Sequence, residues 1–199
     1  MSVLVTQPAP DFTAKAVMPD NSIADAFTLS SYRGKYVVLF FYPLDFTFVC
    51  PSEIIAFDHR LDEFKKRNVE VIGVSIDSHF SHLAWKNTPV NQGGIGNIQY
   101  PLVADLSKEI SKNFGVLLGA GIALRGSFLI DRQGIVRHQV VNDLSLGRDI
   151  DEMLRVVDAL QFTEEHGEVC PAGWNKGKAG MKGSTKGVAE YLAEHANTL

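Results

Sequence analysis

The sequence predicts an α/β domain built on a mixed β-sheet flanked by helices, with a C-terminal arm. Three observations carry this expectation. Residues 36–42 (Tyr-Val-Val-Leu-Phe-Phe-Tyr) form a continuous β-branched and aromatic run, the pattern of a central strand buried on both faces. Helical and strand-like segments then alternate, as in a layered fold with parallel neighbours. Late in the chain, residues 128–141 read as a hairpin around Asp131-Arg132-Gln133-Gly134.

Taken in order, residues 1–35 are rich in turn signals, with Pro8, Pro10, Pro19-Asp20-Asn21 and Arg33-Gly34-Lys35, and suit short strands or a hairpin. A helix is expected over 51–66, where Ile54, Phe57, Leu61 and Phe64 recur at helical spacing opposite Asp58, Asp62, Lys65 and Lys66. Residues 69–76 read as a second buried strand. Residues 80–87 read as a helix that stops before Pro89. A glycine-rich loop covers 92–97, a short strand 102–104, and a short helix 107–114 opened by Ser107 as cap. After the hairpin, Ile150, Met153, Leu154, Val157 and Leu160 share one face of a helix expected over 148–162. Parallel neighbours early and an antiparallel hairpin late suit a thioredoxin-like arrangement.

From Gly167 the composition changes. Residues 173–187 hold five of the seventeen glycines together with Lys176, Lys178, Lys182 and Lys186, so the expectation is a mobile arm with little to bury. A short helix is expected over 188–196. The domain boundaries are therefore read as 1–166 and 167–199.

The 199 residues, 45% hydrophobic and 21% charged, suffice for a core without disulfide staples. A net charge of -4 argues against a dedicated nucleic-acid binder. Residues 1–13 lack Lys and Arg, so no secretory leader is expected, and the run 36–43 is too short to span a bilayer. These features place the protein in the cytoplasm, with no membrane partner. Two cysteines in a reducing compartment read as redox or catalytic thiols rather than a structural bridge. Two cysteines also exclude a four-cysteine zinc site.

Cys50 follows the central strand, where sites form in open α/β sheets, and stands in or just before the first turn of the next helix. Unpaired N–H groups and the helix dipole there favour a thiolate. An ordinary thiol of pKa ~8.5 is only a few per cent ionised at pH 7, so such an environment matters for attack on an electrophile. Thr47, three residues earlier, suits a helix cap or a hydrogen bond to the sulfur and a substrate. Pro51 biases Cys50 away from α geometry, which suggests a first turn able to open. The competing reading is a small buried core cysteine. A disulfide reductase would carry Cys-x-x-Cys, and Thr47 stands where its first cysteine would be.

The segment Phe41-Tyr42-Pro43-Leu44-Asp45-Phe46-Thr47-Phe48-Val49-Cys50-Pro51 resembles the active-site motif of the peroxiredoxins. The resemblance continues through Gly73-Val74-Ser75-Ile76-Asp77-Ser78, His82-Leu83-Ala84-Trp85, Gly93-Gly94-Ile95-Gly96, Arg125-Gly126-Ser127-Phe128 and Val141-Asn142-Asp143-Leu144. It ends in His166-Gly167-Glu168-Val169-Cys170-Pro171-Ala172-Gly173-Trp174 and so spans nearly the whole chain. The pattern is similar to that of the typical two-cysteine subclass.

The resemblance implies a thioredoxin-like fold and a thiol-dependent peroxidase active in antioxidant defence. Cys50 matches the peroxidatic cysteine, which becomes a sulfenic acid. Thr47 matches the threonine that orients peroxide, Pro43 the proline that shields the sulfenate, and Arg125 the arginine that stabilises the thiolate and polarises peroxide. Glu53 and Arg148 match supporting positions. From the residues alone, Arg125 reads equally as a solvated strand end and Arg148 as a surface charge. Cys170 matches the resolving cysteine, which attacks the sulfenic acid of the partner subunit. The implied assembly is a homodimer, commonly joined into a decamer. The implied reductant is a thioredoxin-like protein or a flavin-linked disulfide reductase.

No cofactor is expected in the chain itself. Gly119-Ala120-Gly121-Ile122-Ala123-Leu124-Arg125-Gly126 has its third glycine displaced from a dinucleotide loop. No metal is expected either: His79 and His82 lack a nearby third ligand and read as surface residues. Overoxidation-prone members carry Gly-Gly-Leu-Gly and a C-terminal Tyr-Phe pair. Gly93-Gly94-Ile95-Gly96 and Tyr191-Leu192 are altered forms of both, so intermediate sensitivity is expected. The rival functions are a thiol–disulfide oxidoreductase on the same fold and a holdase, the latter compatible with peroxidase activity.

Overall fold

The computed structural model describes residues 3–198 and divides into two compact units, Met1–Ile150 and Asp151–Leu199. In the first unit, among the described residues, seven strands form one sheet: β1 (Thr13–Val17), β2 (Ile23–Thr28), β3 (Tyr36–Phe41), β4 (Val69–Ser75), β5 (Leu102–Ala104), β6 (Arg125–Ile130) and β7 (Val136–Asn142), in the order β2-β1-β5-β4-β3-β6-β7. β3, β4 and β5 run parallel, and the flanking pairs are antiparallel. This is the mixed sheet expected from the alternating pattern, and its arrangement is thioredoxin-like.

β3 lies at the centre and is buried along its whole length. Because successive side chains alternate between faces, Val37, Leu39 and Phe41 enter one core with Ile72, Val74, Phe114 and Phe128. On the opposite face Phe40 stacks on Phe57 of α1 (Cys50–His59) with ring centroids 4.3 Å apart, and meets Tyr100 edge-on at 5.8 Å. Each fully buried aromatic contributes on the order of 2–3 kcal/mol by burial alone. Cys50 therefore stands at the start of a helix anchored to the central strand.

Several boundaries depart from the sequence expectation. The helix expected over 51–66 is two helices, α1 and α2 (Leu61–Lys66), separated at Arg60 (φ -101°, ψ 2°). No Gly or Pro stands there, so the periodicity does not announce the break. The short helix expected from Ser107 is α4 (Glu109–Asn113), after α3 (His79–Asn87); Ser107 Oγ accepts from Glu109 N–H, though at 3.4 Å. Buried Asp105 supplies the shorter contacts: its carboxylate accepts from the N–H of Ile110 (3.1 Å) and of Ser111 (2.7 Å). The hairpin starts earlier than expected, which makes Arg125 the first residue of buried β6.

The second unit holds most of α5 (Ile150–His166) and all of α6 (Thr185–His195), the latter capped by Ser184, whose hydroxyl accepts from Gly187 N–H at 3.1 Å. The stretch 173–187 buries more than its composition suggests. Trp174 is buried, lies 4.8 Å from the Phe162 ring and donates its indole N–H to Lys178 O at 3.1 Å. A short bridge pairs Val169 with Met181. Among the described residues no helix is long and apolar enough to cross a membrane.

Candidate active site

Cys50 is the first residue of α1 and is fully buried. The turn opens with Val49, whose carbonyl accepts from Ser52 N–H at 3.1 Å. Pro51 fits because the first helical N–H groups have no intrahelical partner to lose. Thr47 does not cap this helix: its hydroxyl donates to Leu44 O at 2.8 Å. That leaves the lone pairs of its oxygen to accept from another donor.

The positive charge at the sulfur comes from across the sheet. Arg125 places Nη1 3.3 Å from Cys50 Sγ. The same nitrogen donates to Glu53 Oε2 at 2.6 Å, while Nε and Nη2 donate to Leu144 O at 2.8 and 2.6 Å. Three of its nitrogens are thus held, and the guanidinium plane is fixed beside the sulfur. Glu53 is one turn along α1 from Cys50, so helical geometry puts both on the same face.

Arg148 completes the frame. Its backbone N–H and Nε donate to Glu53 Oε1 at 2.9 and 2.8 Å, and Nη2 donates to Glu53 Oε2 at 3.0 Å. Nη1 reaches Phe41 O at 2.8 Å and Gly126 O at 2.9 Å. The guanidinium also lies over the Phe40 ring, 5.2 Å from its centroid. The side chains of Arg125, Glu53 and Arg148 are 4%, 2% and 3% exposed, so neither arginine is a solvated surface charge.

Glu53 accepts four N–H bonds, one from Arg125 and three from Arg148. Two guanidiniums against one carboxylate leave one positive charge in a dry site. That charge and the N-terminus of α1 both face the Cys50 sulfur. Pro43, Leu44, Thr47, Phe48, Val49, Ile122, Arg125, Leu144 and Ser145 line the depression above the sulfur.

The fold therefore brings Pro43, Thr47, Cys50, Glu53, Arg125 and Arg148 together in the first unit. Cys170 lies in the second, partly buried, with its thiol 3.5 Å from Ala159 O and 3.7 Å from Thr163 Oγ1. Sequence reasoning gave no role to Leu144, whose backbone carbonyl holds Arg125. A carbonyl acceptor leaves no trace in residue type. It also read His82 as a surface residue, whereas His82 is fully buried against Asp45 at 2.8 Å.

A cysteine at a helix N-terminus, with a buried guanidinium at its sulfur and threonine where a Cys-x-x-Cys pair would have its first cysteine, is the arrangement of a thiol-dependent redox enzyme on a thioredoxin-like fold. Residues 5–139 match the AhpC/TSA family, and residues 159–194 match the C-terminal domain of 1-Cys peroxiredoxin. Among curated relatives, alkyl hydroperoxide reductase C of Helicobacter pylori strain J99 is 60% identical over 99% of this chain and 100% of its own length. Peroxiredoxin-1 of Gallus gallus is 58% identical over 96% of both chains. Among solved structures, the reduced 2-Cys peroxiredoxin of Plasmodium vivax superposes with a TM-score of 0.94 at 54% identity, covering 96% of this chain and 100% of that one. The chain belongs to the AhpC/TSA family of peroxiredoxins and is a thiol-dependent peroxidase.

Proposed function

We propose that this peroxiredoxin reduces hydrogen peroxide and organic hydroperoxides at Cys50 and that Cys170 of the partner subunit resolves the oxidised sulfur. The observation that carries the reading is the 3.3 Å approach of Arg125 Nη1 to Cys50 Sγ at the start of α1. The Cys50 thiolate attacks one peroxide oxygen. The S–O bond forms, the O–O bond breaks, and the departing oxygen leaves as water or alcohol after taking a proton. The sulfur, oxidised by two electrons, is a sulfenic acid.

Arg125 stabilises both the thiolate and the charge growing on the departing oxygen. Thr47 accepts the hydroperoxide O–H through the lone pairs that its bond to Leu44 O leaves open. Pro43 is buried in the wall of the depression and shields the sulfenic acid from water. Glu53 and Arg148 hold Arg125 in place.

The Cys170 thiolate of the partner subunit then attacks the Cys50 sulfur. A disulfide forms, the S–O bond breaks, and the departing hydroxide takes a proton from solvent and leaves as water. A thioredoxin-like or flavin-linked dithiol reductase returns both sulfurs to thiols. In this reading residues 1–166 are the peroxidase domain and residues 167–199 the arm that carries Cys170. The working unit is a homodimer, assembled into a decamer, in the reducing cytoplasm.

Reduced protein treated with stoichiometric hydrogen peroxide and run on a non-reducing gel tests this. Wild type should shift rapidly to a covalent dimer, and Cys50→Ser and Cys170→Ser should not. Thiol loss without a dimer would replace the intersubunit step by an intrachain or one-cysteine cycle. No thiol loss in wild type would remove Cys50 from the reaction.

A further inference from the structure

In the second unit, one stripe of α5 fastens the segment that carries Cys170. Glu152, Arg155, Ala159, Phe162 and Thr163 recur at three- and four-residue spacing and so share a face of the helix. Arg155 Nη1 donates to Trp174 O at 2.7 Å. Its other two nitrogens are held by Glu152, with Nε donating to Oε2 at 2.6 Å and Nη2 to Oε1 at 2.8 Å. This bidentate pair fixes the guanidinium plane and with it the direction of Nη1. Trp174 in turn closes a turn on Pro171, its N–H donating to Pro171 O at 3.1 Å. Holding the Trp174 carbonyl therefore holds the turn that directly follows Cys170.

The Cys170 sulfur faces the same stripe. It stands 3.5 Å from Ala159 O, which also accepts from the Thr163 hydroxyl at 3.0 Å, and 3.7 Å from Thr163 Oγ1. A carbonyl only accepts, so the S–H proton is directed at the backbone of α5. Attack on another sulfur needs a thiolate with its lone pair aimed at the electrophile. The docked Cys170 meets neither condition. It is parked against its own helix, and leaving the stripe is a step that precedes attack. Phe162 and Trp174 make the apolar part of the dock, with ring centroids 4.8 Å apart. Arg155 makes the polar part, and it is 30% exposed, at the edge where the segment meets solvent.

We infer that Arg155 is the latch of this arm and a positioning residue for the second step of the reaction: while it holds Trp174 O, Cys170 stays turned to α5, and release of the latch sets the rate of disulfide formation. The inference rests on the reading of Cys170 as the thiol that resolves the Cys50 sulfenic acid. A closed latch also has a chemical cost. The longer the sulfenic acid waits, the more often a second hydrogen peroxide reaches it; that peroxide gives one oxygen to the sulfur, its O–O bond breaks, and water leaves as the sulfur becomes sulfinic acid.

Arg155→Met keeps the apolar stem and removes every donor, and Arg155→Lys keeps a charge that can still reach one carbonyl. Circular dichroism checks folding; should Arg155→Met not fold, Glu152→Gln, which loosens the guanidinium without removing it, takes its place. Release of the latch is read first as alkylation of Cys170 by iodoacetamide in a Cys50→Ser background. It should quicken by about five- to tenfold in Arg155→Met, the modest worth of a charge-assisted bond from a partly exposed arginine, and by less in Arg155→Lys. With both cysteines present, stopped-flow oxidation of Cys50 by hydrogen peroxide should not change, while formation of the intersubunit disulfide should quicken by the same factor. The sulfinic fraction at high peroxide, measured by mass spectrometry, should fall; a merely structural role for Arg155 would lower stability without moving this partition. Unchanged alkylation and disulfide rates, or slower disulfide formation in a folded variant, would overturn the inference. A wild type that loses thiols to peroxide but forms no intersubunit disulfide would instead refute the reading of Cys170, and the inference with it.

Discussion

Replacing Glu53 by glutamine removes one charge and almost no volume, which makes its consequences calculable. Glu53 accepts four N–H bonds, one from Arg125 and three from Arg148. A glutamine has one acceptor oxygen, and its NH₂ group faces donors that it cannot satisfy. Two guanidiniums are then left in a dry site without their carboxylate. Removing one partner from a buried ion pair costs about 3–5 kcal/mol. With a domain stability of roughly 5–15 kcal/mol, Glu53→Gln should fold but unfold at clearly lower urea.

The kinetic effect follows from what still holds Arg125. Leu144 O keeps Nε and Nη2, so one edge of the guanidinium remains fixed while Nη1, the atom at the sulfur, loses its restraint. Deleting a transition-state donor outright typically costs 10²–10³ in rate, so a loosened one should cost about 10–100-fold. Urea denaturation and stopped-flow oxidation by hydrogen peroxide measure the two effects. A variant that loses under about 1 kcal/mol and reacts at the wild-type rate would refute the framework role argued for Glu53.

Two further outcomes are expected. Lys86 is buried and donates to Met18 O at 2.8 Å and Pro19 O at 3.3 Å; burial lowers its pKa to about 8, against the opposing pull of Asp20 and Asp58. Between pH 8 and the ordinary value of 10.5 the unfolded chain therefore binds more protons than the folded one, and stability rises with pH. Relative to Lys86→Met, wild type should gain on the order of 1–2 kcal/mol across that window, allowing for solvent screening, and parallel urea-unfolding profiles would exclude it. Trp174→Ala removes the contact with Phe162 and should cost the second unit about 3–5 kcal/mol. Limited proteolysis within 173–187 should accelerate and amide exchange in α6 should quicken. Protection equal to wild type would show that Trp174 does not organise this unit.

The alternation of strand-like and helical patterns makes the architecture legible in the sequence. β3 was readable because a strand buried on both faces must be continuously apolar, and the hairpin because its turn residues are distinctive. The start of α1 was readable to within a residue, expected at Pro51 and found at Cys50, because proline fits the first helical turn, where N–H groups have no intrahelical partner. Trp174 was visible as a residue type, but the surrounding glycines and lysines masked the local core it makes with Phe162.

What the sequence alone determined about this protein is the set of local instructions: which segments are strands, where Cys50 stands relative to the helix that follows β3, and which motif surrounds it. Only tertiary structure decided the electrostatics. Arg125 and Arg148 are ordinary charges in the chain, far from Cys50 in sequence, and become buried partners of one carboxylate because β6 pairs with β3 beside α1. Leu144 holds Arg125 through a backbone carbonyl, and His82 meets Asp45 because α3 packs against the sheet at β5, where its other nitrogen reaches Val103. Periodicity reports which face of an element is buried. It carries no information on which distant charge will meet it there, because that depends on strand order and register, set by packing across the whole domain.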